Sequence, residues 1–325
     1  MDPAKRYLRL LLSWGLPALL ASFVLAAVHG YLTTNFWIFR CTASGYDDDS
    51  YLSYCGDPAY VDYAHGALFI PAEPDAIQAL RRAEVVFLGN SRAEIAFSAQ
   101  AIATRMAARG MAYYNLAVYG EQDAFPRRIL QRFDLHPRII VVNVDEFFGN
   151  TANITGKRVM GLTPDVLLEY RLKAWVQPIH RRICGGPDGW AKRMVCGEIP
   201  AQFRSRSSGR VRHVHYPDRD LPMLSGTSFS ERSYAHTLDQ ARAFKAFVEA
   251  RGACLVLTHI PTPTYSPQVA ARLAQDLGLP DLTPTVTGLT SMDGTHLSLD
   301  GAERWSTGFL ALLEPELDRC RSGGR

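Results

Sequence analysis

The chain has 325 residues, of which 47% are hydrophobic, so it holds enough apolar material for one sizeable folded domain or two small ones. It carries 35 lysines and arginines against 32 aspartates and glutamates, a formal net charge of +3. Neither half shows a sustained basic face with interleaved aromatic residues, so nucleic acid is excluded as an expected partner.

The first thirty residues have the pattern of a membrane segment. Lys5, Arg6 and Arg9 precede an uncharged run of 19 residues from Leu10 to Val28, which is long enough to span a bilayer. Positive charge on the N-terminal flank predicts a cytoplasmic N-terminus, with the rest of the chain on the far side of the membrane. A cleaved signal peptide is the alternative, but its apolar core is usually shorter. We therefore expect a single-pass anchor in the cytoplasmic membrane and a periplasmic or otherwise extracytoplasmic domain.

The six cysteines agree with an oxidising compartment. Two pairs lie close together in the sequence and could each close a short loop, namely Cys41 with Cys55 and Cys184 with Cys196. Proximity does not decide the connectivity, because six cysteines permit 15 pairings. Cys254 lies in a predicted buried strand, where a free thiol would pack as a small apolar group, and Cys320 could pair with it or stay free.

From Arg82 onward, short apolar runs rich in β-branched residues alternate with longer amphipathic segments. The spacing of apolar residues predicts helices over Glu94–Arg109 and Leu238–Arg251, and a final helix opens at Leu299. Strands separated by helices imply βαβ crossovers and a mostly parallel sheet covered on both faces. The predicted fold class is a three-layer α/β/α arrangement with strands at Val85–Leu88, Ala112–Asn115, Arg138–Val144 and Cys254–Thr258.

The alternation also suggests a division of the chain. Residues 31–80 are a membrane-proximal lead-in, and residues 81–325 are the main domain. The pattern breaks at about residues 150–230, which predicts an insertion between the third and fourth strands. This insertion holds a basic stretch from Arg204 to Arg212, for which a solvated loop and a surface that binds an anionic polymer or lipid head groups both remain open.

The first candidate site lies at Gly89-Asn90-Ser91, where the first predicted strand ends. In open α/β sheets, ligands bind beyond the carboxyl ends of the strands. A serine on a tight turn there would present its hydroxyl at the sheet edge and its N–H near a helix N-terminus, where developing negative charge is stabilised. A purely structural role is the alternative, because serine is also a favoured N-cap.

Two further polar signals follow. Asp293 and His296 lie three residues apart on a predicted loop before the last helix, so the carboxylate could hold one ring nitrogen while the other faces a serine. The segment Asn115 to Gly120 leaves the second strand, and a glycine there allows its N–H to approach a ligand closely. The three signals occur in order along the chain. Together they indicate nucleophilic catalysis by serine.

In these blocks the sequence resembles the SGNH hydrolases, also called the GDSL-like family. The matching segments are Gly89-Asn90-Ser91, Asn115 to Gly120, and Asp293 to His296. The resemblance implies a flavodoxin-like three-layer fold with Ser91 as nucleophile, His296 as general base and Asp293 as its orienting carboxylate. It also implies that the backbone N–H groups of Ser91 and Gly120 bind the oxyanion.

One block departs from the family pattern. Where the family has Gly-x-Asn-Asp after the third strand, this chain reads Val142-Asn143-Val144-Asp145, so the asparagine that would be a third oxyanion donor is displaced if Asp145 is aligned with the motif. Asn143 or Asn150 could substitute. Membrane-tethered members that resemble polysaccharide O-acetylating or deacylating enzymes often lack this asparagine too. Losing one such donor typically costs about 10² to 10³ in rate.

The alternatives at the serine concern fold and role. Gly89 to Ala93 also approximates the Gly-x-Ser-x-Gly elbow of α/β-hydrolases, but several strands precede the serine in that fold, whereas only the anchor and lead-in precede it here. Arg92, beside the serine, could bind a substrate carboxylate or pair with a surface acid near Glu94.

The sequence therefore predicts a membrane-anchored serine enzyme that acts on acyl esters and needs neither cofactor nor metal. O-acetyl transfer to a cell-surface polysaccharide is the leading hypothesis, because tethering would place the domain beside a membrane-borne donor such as a multi-pass acyltransferase. An esterase or deacetylase of the same fold and a non-catalytic glycan-binding or assembly subunit are the alternatives.

Overall fold

The computed structural model describes most of the chain, in the ranges 11–24, 37–56, 62–187, 192, 196–216, 219–223, 231–263 and 265–322. The strands, in chain order, are β1 (Ser50–Cys55), β2 (Val85–Leu88), β3 (Tyr113–Asn115), β4 (Ile139–Asn143), β5 (Ala201–Ser205), β6 (Val211–Val214), β7 (Leu221–Pro222), β8 (Cys254–Thr258) and β9 (Thr290–Ser291). The helices are α1 (Ala64–Phe69), α2 (Pro74–Arg82), α3 (Ser91–Ala96), α4 (Gln100–Ala108), α5 (Ala124–Arg132), α6 (Ile154–Met160), α7 (Pro164–Cys184), α8 (Glu231–Glu249), α9 (Pro267–Leu277) and α10 (Leu299–Ser322).

The central element is a parallel sheet with the strand order β3-β2-β4-β8. Its strands are continuous apolar runs because both faces of the sheet are covered. Val86 and Ile140 point into one core, whereas Val85 and Ile139 point into the other. Helices α3, α4 and α10 pack in the second core, and α2, α5, α8 and α9 pack in the first. The predicted three-layer α/β class is confirmed, and each of the four predicted strands is present to within one residue at either end.

The order of these strands creates a crevice. The chain moves from β2 outward to β3 and then back past β2 to β4, so the direction of winding reverses between β2 and β4. Ligands bind in doubly wound sheets at this reversal, beyond the carboxyl ends of the strands. Ser91 follows β2 directly and therefore lies at this position.

The helix predicted over Glu94–Arg109 is wrong as a single element. The structure has α3 and α4 separated at Phe97–Ala99. The Ser98 hydroxyl donates to the backbone carbonyl of Glu94 at 2.6 Å, and such side-chain bonds compete with the helical hydrogen-bond ladder. Ser98 also bonds the insertion, because its hydroxyl accepts from the N–H of Val211 at 2.7 Å.

A second, antiparallel sheet has the order β1-β5-β6. Strand β1 belongs to the lead-in, and β5 and β6 belong to the predicted insertion, so two segments far apart in sequence share one sheet. Among the described residues between β4 and β8, none adds a strand to the parallel sheet. The division of the chain into lead-in, main domain and insertion stays a prediction.

Three disulfides are present. Cys41–Cys55 and Cys184–Cys196 confirm the two pairs that proximity suggested. The third, Cys254–Cys320, joins the start of β8 to the end of α10.

The predicted anchor from Leu10 to Val28 extends beyond the described residues at both ends. Within 11–24, a π-helical turn at Leu11–Gly15 is followed by α-helix over residues 16–24. Trp14 and Phe23 are about three-quarters exposed there. None of the helices in the described ranges is both long and apolar enough to cross a membrane.

We predict that replacing Cys254 and Cys320 together by serine lowers the free energy of unfolding by about 2–4 kcal/mol, because the crosslink restricts the unfolded chain over a sequence separation of 66 residues. Urea unfolding followed by circular dichroism measures the change. The matched control replaces Cys184 and Cys196, which are 12 residues apart and should cost less. A larger loss in the control would contradict the prediction.

Candidate active site

The turn after β2 depends on Gly89. Its φ is +154°, and a Cβ atom at this position would lie 2.4 Å from the Cβ of Ala93. Only glycine allows the chain to turn here and lead directly into α3. Asn90 is the N-cap of α3, since its side chain accepts from the N–H of Arg92 at 3.1 Å. The capping role considered for Ser91 thus falls to Asn90, and the serine hydroxyl has another partner.

That partner is His296. The Ser91 Oγ and the His296 Nε2 are 2.8 Å apart, across a sequence separation of 205 residues. The other ring nitrogen, Nδ1, lies 2.7 Å from Oδ2 of Asp293. The structure therefore joins Ser91, His296 and Asp293 in one hydrogen-bonded chain. Such a chain can move a proton from the hydroxyl to the imidazole while the carboxylate stabilises the imidazolium.

The carboxylate of Asp293 is held by its own turn. Its Oδ1 accepts from the backbone N–H groups of Thr295 and His296, both at 2.8 Å. Burial opposes ionisation of this group, but these hydrogen bonds and the imidazole outweigh it and lower the pKa of Asp293 to about 2. The carboxylate is thus ionised at neutral pH and holds the proton of the ring on Nδ1.

Helix packing brings these distant segments together. Helix α10 begins three residues after His296 and lies against α3, which begins at Ser91. Trp305 and Phe309 of α10 stack with ring centroids 5.3 Å apart, and Phe97 meets Trp305 edge-on. The hydroxyl of Ser306 donates to the carbonyl of Ala96 at 2.8 Å. This buried contact between α10 and α3 fixes the distance between the side chains of Ser91 and His296.

The predicted oxyanion donors differ in their surroundings. Ser91 is the first residue of α3, and Gly120 has a φ of +65° in an exposed loop. That loop is attached to the serine turn, because the N–H of Val118 donates to the carbonyl of Gly89 at 3.1 Å. Within the described ranges, the backbone N–H groups of Ser91 and Gly120 take part in none of the hydrogen bonds. Both are thus available to an oxyanion.

Asn143 and Asn150 were considered as a third donor. Asn143 is fully buried beside Gly89, and its Oδ1 accepts from the N–H of Ile260 at 3.0 Å. Its Nδ2 has no hydrogen-bond partner among the described residues, but this atom is enclosed by protein. Asn150 is exposed, and its backbone N–H donates to Asp123 at 2.6 Å. Among the described residues, no hydrogen bond joins either side chain to Ser91 or His296, so a third side-chain donor stays a prediction.

Arg92 pairs with an acid of the protein. Its guanidinium donates to Oδ2 of Asp145, a fully buried residue just beyond β4. The same oxygen accepts from the side-chain amide of Asn90 at 3.1 Å. Asp145 therefore holds the residues on both sides of Ser91, and sequence reasoning gave it no such role. Arg92 thus pairs with a buried acid, not with the surface acid that the sequence suggested, and its binding of a substrate carboxylate stays a prediction.

Arg204 supports the elements around Ser91, and the surroundings that the sequence predicted for it are wrong. It is fully buried rather than part of a solvated or polymer-binding loop. Its guanidinium pairs with the buried carboxylate of Glu94 in α3 and donates to the carbonyls of Asn115 and Ala117 at 2.9 and 2.7 Å. One side chain of the insertion thus holds the helix that follows the serine and the loop that leads to Gly120.

The Gly120 loop has a second support, from the lead-in. His65 is fully buried, with Nδ1 against Asp62 and Nε2 2.7 Å from Oε1 of Glu121. The backbone N–H of Asn153 donates to the other Glu121 oxygen at 3.3 Å, and its side-chain amide donates to the carbonyl of Tyr119 at 2.8 Å. The residues on both sides of Gly120 are therefore fixed.

The protonation of His65 follows from these contacts. Burial alone would lower the pKa of His65, but the charges of Asp62 and Glu121 and their hydrogen bonds raise it from 6.5 to about 9. The ring is therefore an imidazolium at neutral pH. Lys173 also faces this cluster, because its ammonium donates to the backbone carbonyl of Asp62 at 3.4 Å.

Comparison with known proteins gives a partial likeness. A scan against protein-family models found no match, and a search of curated proteins found none. Among solved structures, TesA is similar with 14% identity and a TM-score of 0.34, over 71% of this chain and 98% of its own.

Two proteins from Bacteroides are similar to the same degree. One, from Bacteroides fragilis and described as an acylhydrolase, has 14% identity and a TM-score of 0.37 over 78% of this chain and 98% of its own. The other, a GDSL-like lipase from Bacteroides thetaiotaomicron, has 12% identity and a TM-score of 0.36 over 76% and 99%. Because these scores are low, the function proposed below depends on the site geometry alone.

We predict that the wild-type protein loses stability between about pH 6.5 and pH 9 in a way that depends on His65. Unfolding releases the proton of this ring in that range, because the folded pKa lies above the unfolded one. The contribution of His65 is complete below pH 6.5 and is lost as the pH rises through 9. The free energy of unfolding should fall by up to about 1.4 kcal/mol per pH unit from this group.

Urea unfolding at several pH values tests this. His65→Gln should remove that part of the slope, whereas His136→Gln should leave it unchanged, because His136 is more than half exposed. Identical slopes in the wild type and His65→Gln would show that the ring is neutral in the folded protein.

Proposed function

We propose that this protein is an extracytoplasmic serine enzyme that transfers acetyl groups to the hydroxyls of a cell-surface polysaccharide. The observation that carries the proposal is the hydrogen-bonded chain of Ser91, His296 and Asp293 at the reversal point of the sheet. The backbone N–H groups of Ser91 and Gly120 also support it. Within the described ranges they take part in none of the hydrogen bonds, and acyl transfer develops negative charge on a carbonyl oxygen that they could bind.

In the first step, the Ser91 Oγ attacks the carbonyl carbon of an acetyl ester. His296 Nε2 takes the hydroxyl proton, and Nδ1–H remains hydrogen-bonded to Asp293. The oxyanion accepts from the N–H groups of Ser91 and Gly120. The intermediate collapses when the donor's ester C–O bond breaks, and His296 gives its proton to the departing alkoxide oxygen. The acetyl group is then bonded to Ser91.

In the second step, a sugar hydroxyl attacks the acetyl-serine carbonyl. His296 removes the proton of that hydroxyl, the bond between the acetyl carbon and Ser91 Oγ breaks, and the serine oxygen takes the proton back from His296. Water in place of the sugar gives the esterase reaction through the same side chains. Whether transfer or hydrolysis dominates depends on whether a sugar hydroxyl or water occupies the crevice.

A location outside the cytoplasm at a membrane favours transfer. Three disulfides agree with an oxidising compartment. The helix over residues 16–24 has exposed apolar side chains such as Leu19 and Phe23, and the uncharged run continues beyond it to Val28. An anchor there would hold the domain next to a membrane-borne acetyl donor, such as a multi-pass acyltransferase, and raise the local concentration of that donor.

We predict that a fluorophosphonate probe labels the wild-type domain and that Ser91→Ala abolishes the labelling. Ser91→Ala should also lower kcat for 4-nitrophenyl acetate by at least about 10⁴-fold, because no other group supplies the nucleophile. Probe labelling on a gel and steady-state rates measure the two effects. The matched control is Ser44→Ala, at an exposed serine outside the site, which should keep both. Unlabelled wild-type protein that is correctly folded would favour the non-catalytic glycan-binding role.

A further inference from the structure

We propose that the antiparallel sheet of β1, β5 and β6 carries a sugar-binding platform beside Ser91, which holds the acceptor glycan of the proposed reaction. The platform comprises five residues, namely Tyr54, Tyr119, Gln202, His213 and Tyr216. It rests on the proposed function for its role in transfer, but its binding of sugar is testable separately.

The strand register sets the middle of the platform. Tyr54 of β1 is directly opposite Gln202 of β5, and Gln202 is directly opposite His213 of β6. Residues directly opposite in a sheet lie on the same face. The side chains agree, since Gln202 Nε2 and His213 Nε2 are 2.8 Å apart. The three residues thus form a row across the sheet, about 10 Å long from the spacing of its strands.

Aromatic rings extend this row at both ends. The ring of Tyr119 lies 6.4 Å from that of Tyr54, at an interplanar angle of 36°. At the other end, Tyr216 meets His213 edge-on with ring centroids 5.0 Å apart. Tyr119 is 60% exposed, so its ring is accessible to a ligand. The platform therefore has tyrosine rings at both ends and hydrogen-bonding groups between them.

Two residues of the platform, Tyr119 and His213, lie beside the elements that carry Ser91 and His296. Tyr119 immediately precedes Gly120, whose loop is attached to Gly89 through Val118. His213 lines one cavity together with Ile95 of α3 and Leu299 of α10. Burial first, and then His296, lower the pKa of His213 to about 4. His213 is therefore neutral at physiological pH, and its Nδ1 can bind an uncharged hydroxyl while Nε2 is bonded to Gln202.

The chemistry of these groups matches a sugar better than an acyl chain. A pyranose ring presents a face of C–H groups that packs on tyrosine and an edge of hydroxyls that bonds to amide, imidazole and phenol groups. A row of about 10 Å has room for roughly two sugar units. An acyl chain would instead cover the phenol hydroxyls of the platform without offering them hydrogen bonds, which is costly.

The test compares two substrates of one enzyme. Acetyl transfer from 4-nitrophenyl acetate to hexasaccharides of glucose, N-acetylglucosamine and mannose is measured by mass spectrometry, alongside hydrolysis of 4-nitrophenyl acetate without sugar. Tyr54→Ala should lower kcat/KM for the best acceptor about tenfold more than it lowers the hydrolysis rate, mainly through KM. Tyr54→Phe keeps the ring and should restore most of the loss. Trp175→Ala removes an exposed aromatic side chain of α7, outside the platform, and should change neither.

Each other outcome overturns the platform. Equal losses in both reactions would mean that Tyr54 only maintains the structure of the site. No saturable transfer to any hexasaccharide, with hydrolysis intact, would exclude a sugar acceptor at this surface. A Tyr54→Ala loss that grows with the acyl chain length of nitrophenyl esters would identify the occupant as an acyl chain.

A binding measurement separates this proposal from the proposed function. Binding of the same hexasaccharides to Ser91→Ala protein, followed by NMR, does not need catalysis. If the wild type hydrolyses nothing, the proposed function fails, yet sugar binding that is weakened by Tyr54→Ala would still support the platform. If the wild type hydrolyses the ester and Ser91→Ala binds none of the sugars, the platform fails alone.

Discussion

The site depends on the burial of α10 against α3 on one face of the parallel sheet. Ser91 and His296 are 205 positions apart in the sequence, so no local turn could bring them together. The edge-on contact of Phe97 with Trp305 and the hydrogen bond from Ser306 to Ala96 hold the two helices in register. Since a shift of about 1 Å in a catalytic contact can cost about 10² in rate, this core contact matters for chemistry as well as stability.

Ionic contacts from outside the parallel sheet complete the site. Arg204 reaches α3 and the loop after β3 from the insertion, and His65 reaches the Gly120 loop from the lead-in. Buried charges of this kind contribute little net stability, but removing one partner is costly because the other is left unpaired. Their value here is geometric, since they determine where the turn after β2 and the loop after β3 lie relative to each other.

Most of the parallel sheet could be predicted from the sequence, because strands buried on both faces are continuous apolar runs. Ser91, Asp293 and His296 could be found because each lies at a strand end or loop in a short recognisable spacing. Arg204 and His65 could not, since their burial depends on Glu94 and Glu121, which lie far away in the sequence. The break after α3 was missed because the Ser98 hydroxyl replaces a helical backbone bond, and apolar periodicity does not register this.

The antiparallel sheet has a consequence for how such an enzyme could diversify. Its strands come from the lead-in and the insertion, whereas the proton-transfer residues sit on loops of the parallel sheet. If this sheet binds the acceptor as proposed, sequence changes at Tyr54 and at the partly exposed positions of β6 would alter which molecule is recognised while leaving Ser91, His296 and Asp293 intact. Under the proposed function, related chains with the same serine loop but a rebuilt second sheet would be expected to act on different acceptors.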